Sequence, residues 1–155
     1  MDSKRLLLIT GIPGTGKTTI GDHLRDAHGF KHFDIEYYLT NQMAERLCRE
    51  LDAALRSGSD IVVTWGFLPV HDVPNIESLR AAGFRLIWFD GNRAAALREF
   101  NRRGTVKEEM YHLQIRNIEE AGVVDKLKPA LINPFDEEGE FKSKPEIAAE
   151  VLRLA

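Results

Sequence analysis

The stretch Leu6-Leu-Leu-Ile-Thr-Gly-Ile-Pro-Gly-Thr-Gly-Lys-Thr18 decides how this chain folds. Its residues 11–18 match the pattern GxxxxGK[ST] in full, after an apolar run and before a helical pattern that begins at Thr18. The glycines permit positive φ angles and close backbone approach, so successive N–H groups can point at one bound anion. The N-terminus of the following helix adds partial positive charge. The spacing therefore predicts a phosphate-binding loop between the first strand and the first helix.

The loop also supplies side chains for a nucleotide and a metal ion. Lys17 is a mobile cation for the β- and γ-phosphates, and the Thr18 hydroxyl can ligate a Mg²⁺ ion that bridges them. We therefore expect ATP and Mg²⁺ as cofactors. The predicted nucleotide-binding residues of this segment are Gly11, Pro13, Gly14, Thr15, Gly16, Lys17, Thr18 and Thr19.

Outward from the loop, apolar runs alternate with helical patterns. Residues 6–9, 61–63 and 86–89 are short and apolar, as buried parallel strands are, and residues 31–33 and 130–132 are weaker candidates. The alternation predicts an α/β fold, with a five-stranded parallel sheet covered by helices on both faces.

The helical patterns cover residues 18–27, 36–56, 92–103, 107–121 and 145–154. In the second of these, Met43, Leu47, Leu51 and Leu55 recur every four residues, which is typical of a helix with one apolar face. We predict that this stripe and the neighbouring Cys48 pack in the core.

Composition restricts the class of protein. The 155 residues are 43% hydrophobic and 29% charged, with a net charge of −3, which excludes a disordered chain and favours one domain. Near-balanced charge gives no bulk field for nucleic acid or an anionic membrane, so we expect neither as a partner. A single cysteine and an N-terminal apolar run too short for a signal peptide predict a cytoplasmic protein. We expect a monomer or a small homo-oligomer.

Residues 14–36, GTGKTTIGDHLRDAHGFKHFDIE, resemble the shikimate kinases, with the spacing from Lys17 to the segment Asp34-Ile-Glu36 kept without a gap. Residues 98–104 and 114–119 resemble the lid and following helix of the gluconate kinases. Both families are small phosphate-loop kinases related to adenylate kinase. The resemblance implies a three-layer P-loop NTPase fold with strand order 2-3-1-4-5 and a single kinase domain over residues 1–155. It also implies a short lid around 102–107 and an acceptor-binding helical segment around 36–57.

Two carboxylates follow the second predicted strand, at the edge of the sheet where ligands bind. The resemblance implies that Asp34 orients the acceptor hydroxyl as a base and is an outer partner of the magnesium. It implies that Glu36 binds a polyhydroxylated acceptor. The alternatives are that Asp34 caps the next helix and that Glu36 is a first-turn charge favourable to the helix dipole.

A basic cluster flanks the predicted lid. In this fold a lid brings guanidinium groups to the transferring phosphoryl group and excludes water. Arg102 is the predicted catalytic arginine, Arg98 and Arg103 are predicted to bind nucleotide, and Arg116 on the returning helix is a further candidate for binding substrate. A solvated helical face is the alternative for each of them.

The third predicted strand leads into the acceptor side. Trp65 can stack on a ring-shaped acceptor and Gly66 allows close backbone approach, with core packing as the alternative for Trp65. Shikimate kinases have a glycine triplet here and an arginine for the shikimate carboxylate. In this chain Arg46 and Arg49 are the available substitutes, and the strand ends in Thr64 rather than an acid.

We therefore expect a kinase that transfers the γ-phosphoryl group of ATP to a hydroxyl of a small metabolite, a polyol acid or similar alcohol. Asn133 and Pro134 follow the fifth predicted strand, where kinases of this type hold adenine largely through backbone groups. The alternatives are a nucleotide or nucleoside kinase, and an ATP-binding regulatory module with slow ATPase activity. The missing acid after the third strand and the short lid favour the regulatory module.

Overall fold

Short apolar segments form the centre of the molecule, because their side chains are buried on both faces of a parallel sheet. A computed structural model of the protein describes residues 3–67 and 69–155, apart from the side chains of 69–71. The strands of this part of the chain are β1 (Leu6–Gly11), β2 (Lys31–Asp34), β3 (Ile61–Thr64), β4 (Arg85–Phe89) and β5 (Ala130–Ile132). They are all parallel, in the order β2-β3-β1-β4-β5. The predicted sheet and strand order are confirmed.

Helices join successive strands and follow the last one. They are α1 (Lys17–His28), α2 (Ile35–Thr40), α3 (Ala44–Arg56), α4 (Pro69–Ala81), α5 (Arg93–Arg103), α6 (Glu108–Ala121), α7 (Val123–Leu127) and α8 (Lys144–Arg153). None of the described helices is long and apolar enough to cross a membrane.

Some helical expectations need correction. The single helix predicted over 36–56 is two helices, α2 and α3, and Gln42 in the connection has a φ of 56° that a continuous helix does not allow. We did not predict α4 or α7. Pro74 lies inside α4, and an internal proline counts against a helix in any pattern-based prediction.

The apolar stripe of α3 is only partly as predicted. Leu47 and Ala54 are buried, and Leu51 and Leu55 are partly buried against the same core. Cys48, however, is exposed, so its predicted core packing is wrong. It stands one position after Leu47, about 100° around the helix, and therefore faces away from the sheet.

Two hydrophobic layers lie on opposite faces of the sheet. On one face, strand residues such as Leu7 and Ile9 pack with Ile20 of α1 and Val151 of α8. On the other face, alternate strand residues pack with side chains of α3, α4, α5 and α6. The molecule therefore has the three layers, helix, sheet and helix, that the resemblance implied.

The sheet brings three chain segments to one edge. In the register of the central strands, Thr64 of β3 lies beside Ile9 of β1 and Asp34 of β2. Since the strands are parallel, the residues that follow them leave from the same edge. The loop after β1, the segment after β2 and the segment after β3 are thus neighbours.

A buried histidine ties α1 to this part of the sheet. The His32 side chain on β2 is 4% exposed, with Nδ1 2.9 Å from Asp22 Oδ1 and Nε2 2.7 Å from Thr64 Oγ1. A carboxylate only accepts hydrogen bonds, so in the neutral ring Nδ1 carries the proton and Nε2 accepts from the threonine hydroxyl. Gly21 makes room for the ring, because a Cβ there would lie 2.4 Å from Nε2.

We expect His32→Ala to lower the free energy of unfolding by about 2 kcal/mol, because it leaves the buried Thr64 hydroxyl without a partner. Urea unfolding measures the change. The matched control is His112→Ala on α6, where the side chain is 53% exposed and a change within about 0.5 kcal/mol is expected. Equal unfolding midpoints for the two variants would contradict a structural role of the His32 network.

Candidate active site

Glycines shape the loop between β1 and α1. Gly11, Gly14 and Gly16 have φ angles of 137°, 78° and 76°, which are strained for any other residue. A Cβ on Gly11 would lie 2.2 Å from the carbonyl oxygen of Phe89, and one on Gly14 would lie 2.1 Å from that of Ala96. The loop thus packs directly against the backbone of β4 and α5.

Thr15 holds the loop from within. Its side chain is buried, and its hydroxyl donates to the carbonyl oxygen of Ile12 at 2.9 Å. Gly16 is the N-cap of α1, so the first backbone N–H groups of that helix point toward the loop and have no partner within the helix. These features fit an anion held by backbone N–H groups.

Lys17 reaches back over the loop. Its Nζ donates to the Ile12 carbonyl oxygen at 2.7 Å. Burial lowers the pKa of the Lys17 ammonium from 10.5 to about 8, with Arg103 lowering it further and the carboxylates of Glu36 and Asp34 opposing the shift. The positive charge of Lys17 is therefore held less firmly than that of an exposed lysine, and an added anion would stabilise it.

Asp34 makes two contacts, one with each carboxylate oxygen. Oδ1 accepts a hydrogen bond from the backbone N–H of Glu36 at 3.2 Å and so caps α2. Oδ2 accepts from the Thr18 hydroxyl at 3.4 Å. The capping alternative is therefore correct, and it coexists with a carboxylate oxygen that faces the phosphate loop.

The oxygen atoms of Thr18 and Asp34 suit a hard cation such as Mg²⁺. In the described part of the chain, no three His, Cys, Asp or Glu side chains are grouped as a protein-only metal site. Mg²⁺ in phosphate-transfer sites usually has one or two protein ligands, with water and phosphate oxygens completing the shell. The residues at this position fit that mode of binding.

A cavity of about 250 Å³ opens above the loop. Residues from the ends of β1, β2 and β3 and from the α5–α6 segment line it: Gly11, Pro13, Gly14, Thr15, Gly16, Lys17, Thr18, Asp34, Glu36, Trp65, Gly66, Phe100, Arg103, Thr105, Val106 and Gln114. Thr105 and Val106 lie within the predicted lid, but we did not name them, Phe100 or Gln114 as site residues. The predicted lid and the helix that follows it were the only available signal.

The acceptor-side residues of the prediction meet in this cavity. A Cβ on Gly66 would lie 1.7 Å from Glu36 Oε1, so the carboxylate occupies the space that glycine leaves open. Trp65 is 8% exposed, belongs to the hydrophobic core and also lines the cavity. Core packing and a position at the site are thus both realised for Trp65.

The four predicted arginines do not lie together. Arg103 lines the loop cavity. Arg102 is 76% exposed and pairs with Glu99 at 2.9 Å, and Arg98 donates to the carbonyl oxygen of Gly139. Arg116 is exposed on α6 and is not among the described lining residues. Contacts of Arg98, Arg102 and Arg116 with a substrate stay predictions.

A second cavity of about 430 Å³ adjoins the first at Thr15, Gly16 and Arg103. Its other lining residues come from α1, α5 and the segment leading into α8: Thr19, Ile20, Glu99, Arg102, Phe141, Lys142, Ser143, Lys144 and Ile147. Phe141 lies over Gly16 and stacks on Phe135, with ring centroids 4.7 Å apart. Residues 141–144 were missing from our prediction.

Asn133, which follows β5, is not among the described residues that line either cavity, and its place beside a base stays a prediction. It lines a separate surface depression with Leu131 and Glu150, and its side chain packs against Gly91. The segment that reaches the phosphate loop begins at Phe141, which lies over Gly16 and forms an isolated β-bridge with Phe135.

Solved structures of kinases share this architecture. Shikimate kinase from Bacteroides thetaiotaomicron is 18% identical with a TM-score of 0.63, over 97% of this chain and 95% of that one. Shikimate kinase from Acinetobacter baumannii, in complex with shikimate, is 15% identical with a TM-score of 0.62, over 98% and 93%. A gluconokinase from Sinorhizobium meliloti 1021 is 14% identical with a TM-score of 0.58, over 99% and 92%.

No family model matches the sequence, and no curated protein does. At these low identities the structural likeness concerns the fold. Together with the strand order and the phosphate loop, it shows that the chain has the fold of the small phosphate-loop kinases that include the shikimate kinases and gluconate kinases.

Proposed function

We propose that the protein is a magnesium-dependent kinase that transfers the γ-phosphoryl group of ATP to a hydroxyl group of a small metabolite. The observation that carries the proposal is one cavity in which a phosphate loop, Lys17 and Arg103 face Asp34 and Glu36. Phosphoryl transfer needs cations around the donor phosphate and a carboxylate at the acceptor hydroxyl. This cavity offers both.

ATP would extend across the two adjoining cavities. Its β- and γ-phosphates would be bound by the loop amides and Lys17 in the first, and its ribose and base would occupy the second. The second cavity supports this arrangement because Ile20, Phe141 and Ile147 give it apolar walls on which a base can stack. Thr19, at its border with α1, would be near the α-phosphate.

The transfer step follows from these positions. The acceptor oxygen attacks the γ-phosphorus, the bond to the bridging oxygen of ADP breaks, and the hydroxyl proton passes to the Asp34 carboxylate. Thr18 would hold Mg²⁺, with Asp34 as its outer partner, and the bound ion would neutralise charge on the β- and γ-phosphate oxygens. Lys17 stabilises the charge on the transferring group. The α2 cap fixes the Asp34 side chain, so its second oxygen stays directed at the loop.

Among the arginines, Arg103 is the best supported partner of the transferring phosphoryl group, since it alone lines both cavities. Arg102, the predicted catalytic arginine, could act there only after its ion pair with Glu99 opened. We propose residues 102–107 as the lid of a single kinase domain. In the same scheme, the acceptor would bind beside residues 36–57, with Trp65 and Gly66 below it.

The acceptor side of the cavity also argues against a regulatory ATPase module. A module that only hydrolyses ATP has no need of Glu36 and of the glycine that makes room for it. Acceptor dependence separates the two functions. A kinase converts ATP to ADP rapidly only when its acceptor is present.

We expect at least one compound in a panel of sugars, polyol acids, nucleosides and amino sugars to accelerate ADP formation. Lys17→Ala should lower that rate by about three orders of magnitude, because the transition-state charge loses its cation. The control is Lys31→Ala, an exposed lysine on β2, which should leave the rate unchanged. Failure of every acceptor class to accelerate ADP formation would overturn the kinase proposal.

Asp34→Asn separates catalysis from capping. Asparagine caps helices as well as aspartate does, so the melting temperature should stay within a few degrees. Turnover should fall about a hundredfold or more while the affinity for ADP changes little, because asparagine keeps an oxygen for the outer contact with Mg²⁺ and loses only the ability to accept the proton. If this variant keeps full turnover and changes only in stability, Asp34 only caps α2 and takes no part in the transfer.

The lowered pKa of Lys17 predicts a pH dependence of nucleotide binding. Above about pH 8 the free lysine is largely neutral, and bound phosphates favour its charged form, so binding ADP with Mg²⁺ must take up a proton. Affinity should therefore fall as the pH rises through about 8. Calorimetry in buffers of different ionisation enthalpy measures the proton uptake. Lys17→Arg stays charged throughout this range and should show neither effect. A flat affinity profile in the unmodified protein would contradict the assignment.

A further inference from the structure

Glu36 has an unusual position in the cavity. It is the first-turn acid of α2, and its Oε1 fills the space left by the missing side chain of Gly66. Among the described residues, its carboxylate has no hydrogen-bond or ion-pair partner, whereas Asp34 is bonded to Thr18 and to the α2 backbone. Its charge raises the pKa of the Lys17 ammonium, but no cation of the described residues lies within ion-pair distance of it. Glu36 therefore presents an unpaired negative charge to whatever binds beside it.

The cations of this cavity lie on the nucleotide side. Among the lining residues they are Lys17, held over the loop carbonyl of Ile12, and Arg103, which the second cavity shares. In the proposed function both bind phosphate. With Lys17 and Arg103 bound to phosphate, the carboxylates of Asp34 and Glu36 have no ion-pair partner among the described residues at the acceptor end of the lining.

The arginines that the sequence offered for an acidic acceptor are occupied or remote. Arg46 Nε pairs with Glu50 Oε1 at 2.6 Å, and the Tyr38 hydroxyl donates to the other oxygen of Glu50 at 2.6 Å. Burial and the Glu50 carboxylate raise the pKa of Tyr38 to about 12, so the tyrosine stays protonated and keeps that bond. Arg49 and Arg116 are exposed, and neither is among the described residues that line the cavity.

The remaining acceptor-side walls are apolar or uncharged. Trp65, Phe100 and Val106 supply hydrocarbon surface, and Gln114 supplies an amide. Such surfaces pack against the C–H face of a ring or a carbon chain and carry no charge preference. Glu36 is therefore the residue that discriminates between acceptors by their charge.

Resting on the proposed function, we propose that the acceptor is an amino-bearing hydroxyl compound, an amino alcohol or amino sugar, whose ammonium group pairs with Glu36. An ammonium neutralises the free carboxylate beside the transferring phosphate. A carboxylate on the acceptor would instead face two like charges, and juxtaposed like charges select against a ligand. The polyol acid expected from the sequence is the alternative that the following test distinguishes.

The test compares compounds that differ in one end group, which is negatively charged, neutral or positively charged. One triplet is D-gluconate, D-glucitol and 1-amino-1-deoxy-D-glucitol, which have the same hydroxyls and end in a carboxylate, a hydroxymethyl or an aminomethyl group. A second triplet has the same three end groups on a cyclohexene triol, so that a ring is also offered. We expect kcat/KM for acceptor-dependent ADP release to be highest for an amino member. The acidic member of that triplet should be lower by about tenfold or more.

Glu36→Gln gives the matched variant, because it removes the charge and keeps the size of the side chain. It should raise KM for the amino member and lower KM for the acidic member. The change in kcat should be smaller than either change in KM. Glu77→Gln, an exposed acid on α4 outside the acceptor-binding segment, is the control and should leave the order of the triplet unchanged. Quenching of tryptophan fluorescence by each compound, in the absence of ATP, gives a binding readout that does not depend on turnover. Of the two tryptophans, Trp88 is fully buried, so the change reports on Trp65.

Each outcome decides a separate point. Fastest turnover with an acidic member would overturn the amino-acceptor proposal while supporting the kinase. Equal use of all three members, or an unchanged order in Glu36→Gln, would remove Glu36 as the residue that selects by charge. If no member of the triplets or of the wider panel accelerates ADP release, the proposed function fails and the acceptor proposal fails with it.

Discussion

The contact of the phosphate loop with the backbone of β4 and α5 is the constraint on which the site depends. Gly11 and Gly14 touch the carbonyl groups of Phe89 and Ala96 so closely that a side chain at either position would push the loop away. The close contact fixes where the loop amides point and where α1 begins. Lys17 is then placed over the loop, because it is the first residue of α1. The same glycine contacts therefore determine the shape of the loop, the position of Lys17 and the direction of α1, and we treat loop, lysine and helix as one structural unit.

The sheet connects this unit to the acceptor side. Parallel pairing sets Asp34 of β2 level with Thr64 of β3, and the chain leaves both strands at the edge where the loop lies. Thr64 also anchors the His32 ring, which joins α1 to β2 and β3. The hydroxyl at the end of β3 thus has a structural partner on the side of the sheet that α1 covers. This is a physical reason why β3 can end in a buried threonine where an acid was expected.

The sequence predicts most of what depends on local pattern. Strands buried on both faces are short apolar runs, and the glycine pattern requires a particular backbone shape, so the sheet and the loop could be predicted. The second cavity could not, because residues 141–144 approach Gly16 only through the turn that begins at Phe135. The contacts of Arg98 and Arg102 could not be predicted from the spacing of residues in the sequence. Arg98 contacts Gly139, and Arg102 pairs with Glu99 on the same helix.

The helix α2 couples recognition to chemistry because it is only six residues long. Its N-cap is Asp34, the carboxylate that faces Thr18, and its second residue is Glu36, the free carboxylate on the acceptor side. Any shift of α2 must move both groups, since the backbone N–H of Glu36 is itself the donor to Asp34. A ligand that pairs with Glu36 therefore also holds the cap in place and keeps the second Asp34 oxygen directed at the loop. In the proposed kinase, with its lid of a few residues, this local coupling would give the bound acceptor a direct way to order the Asp34 carboxylate.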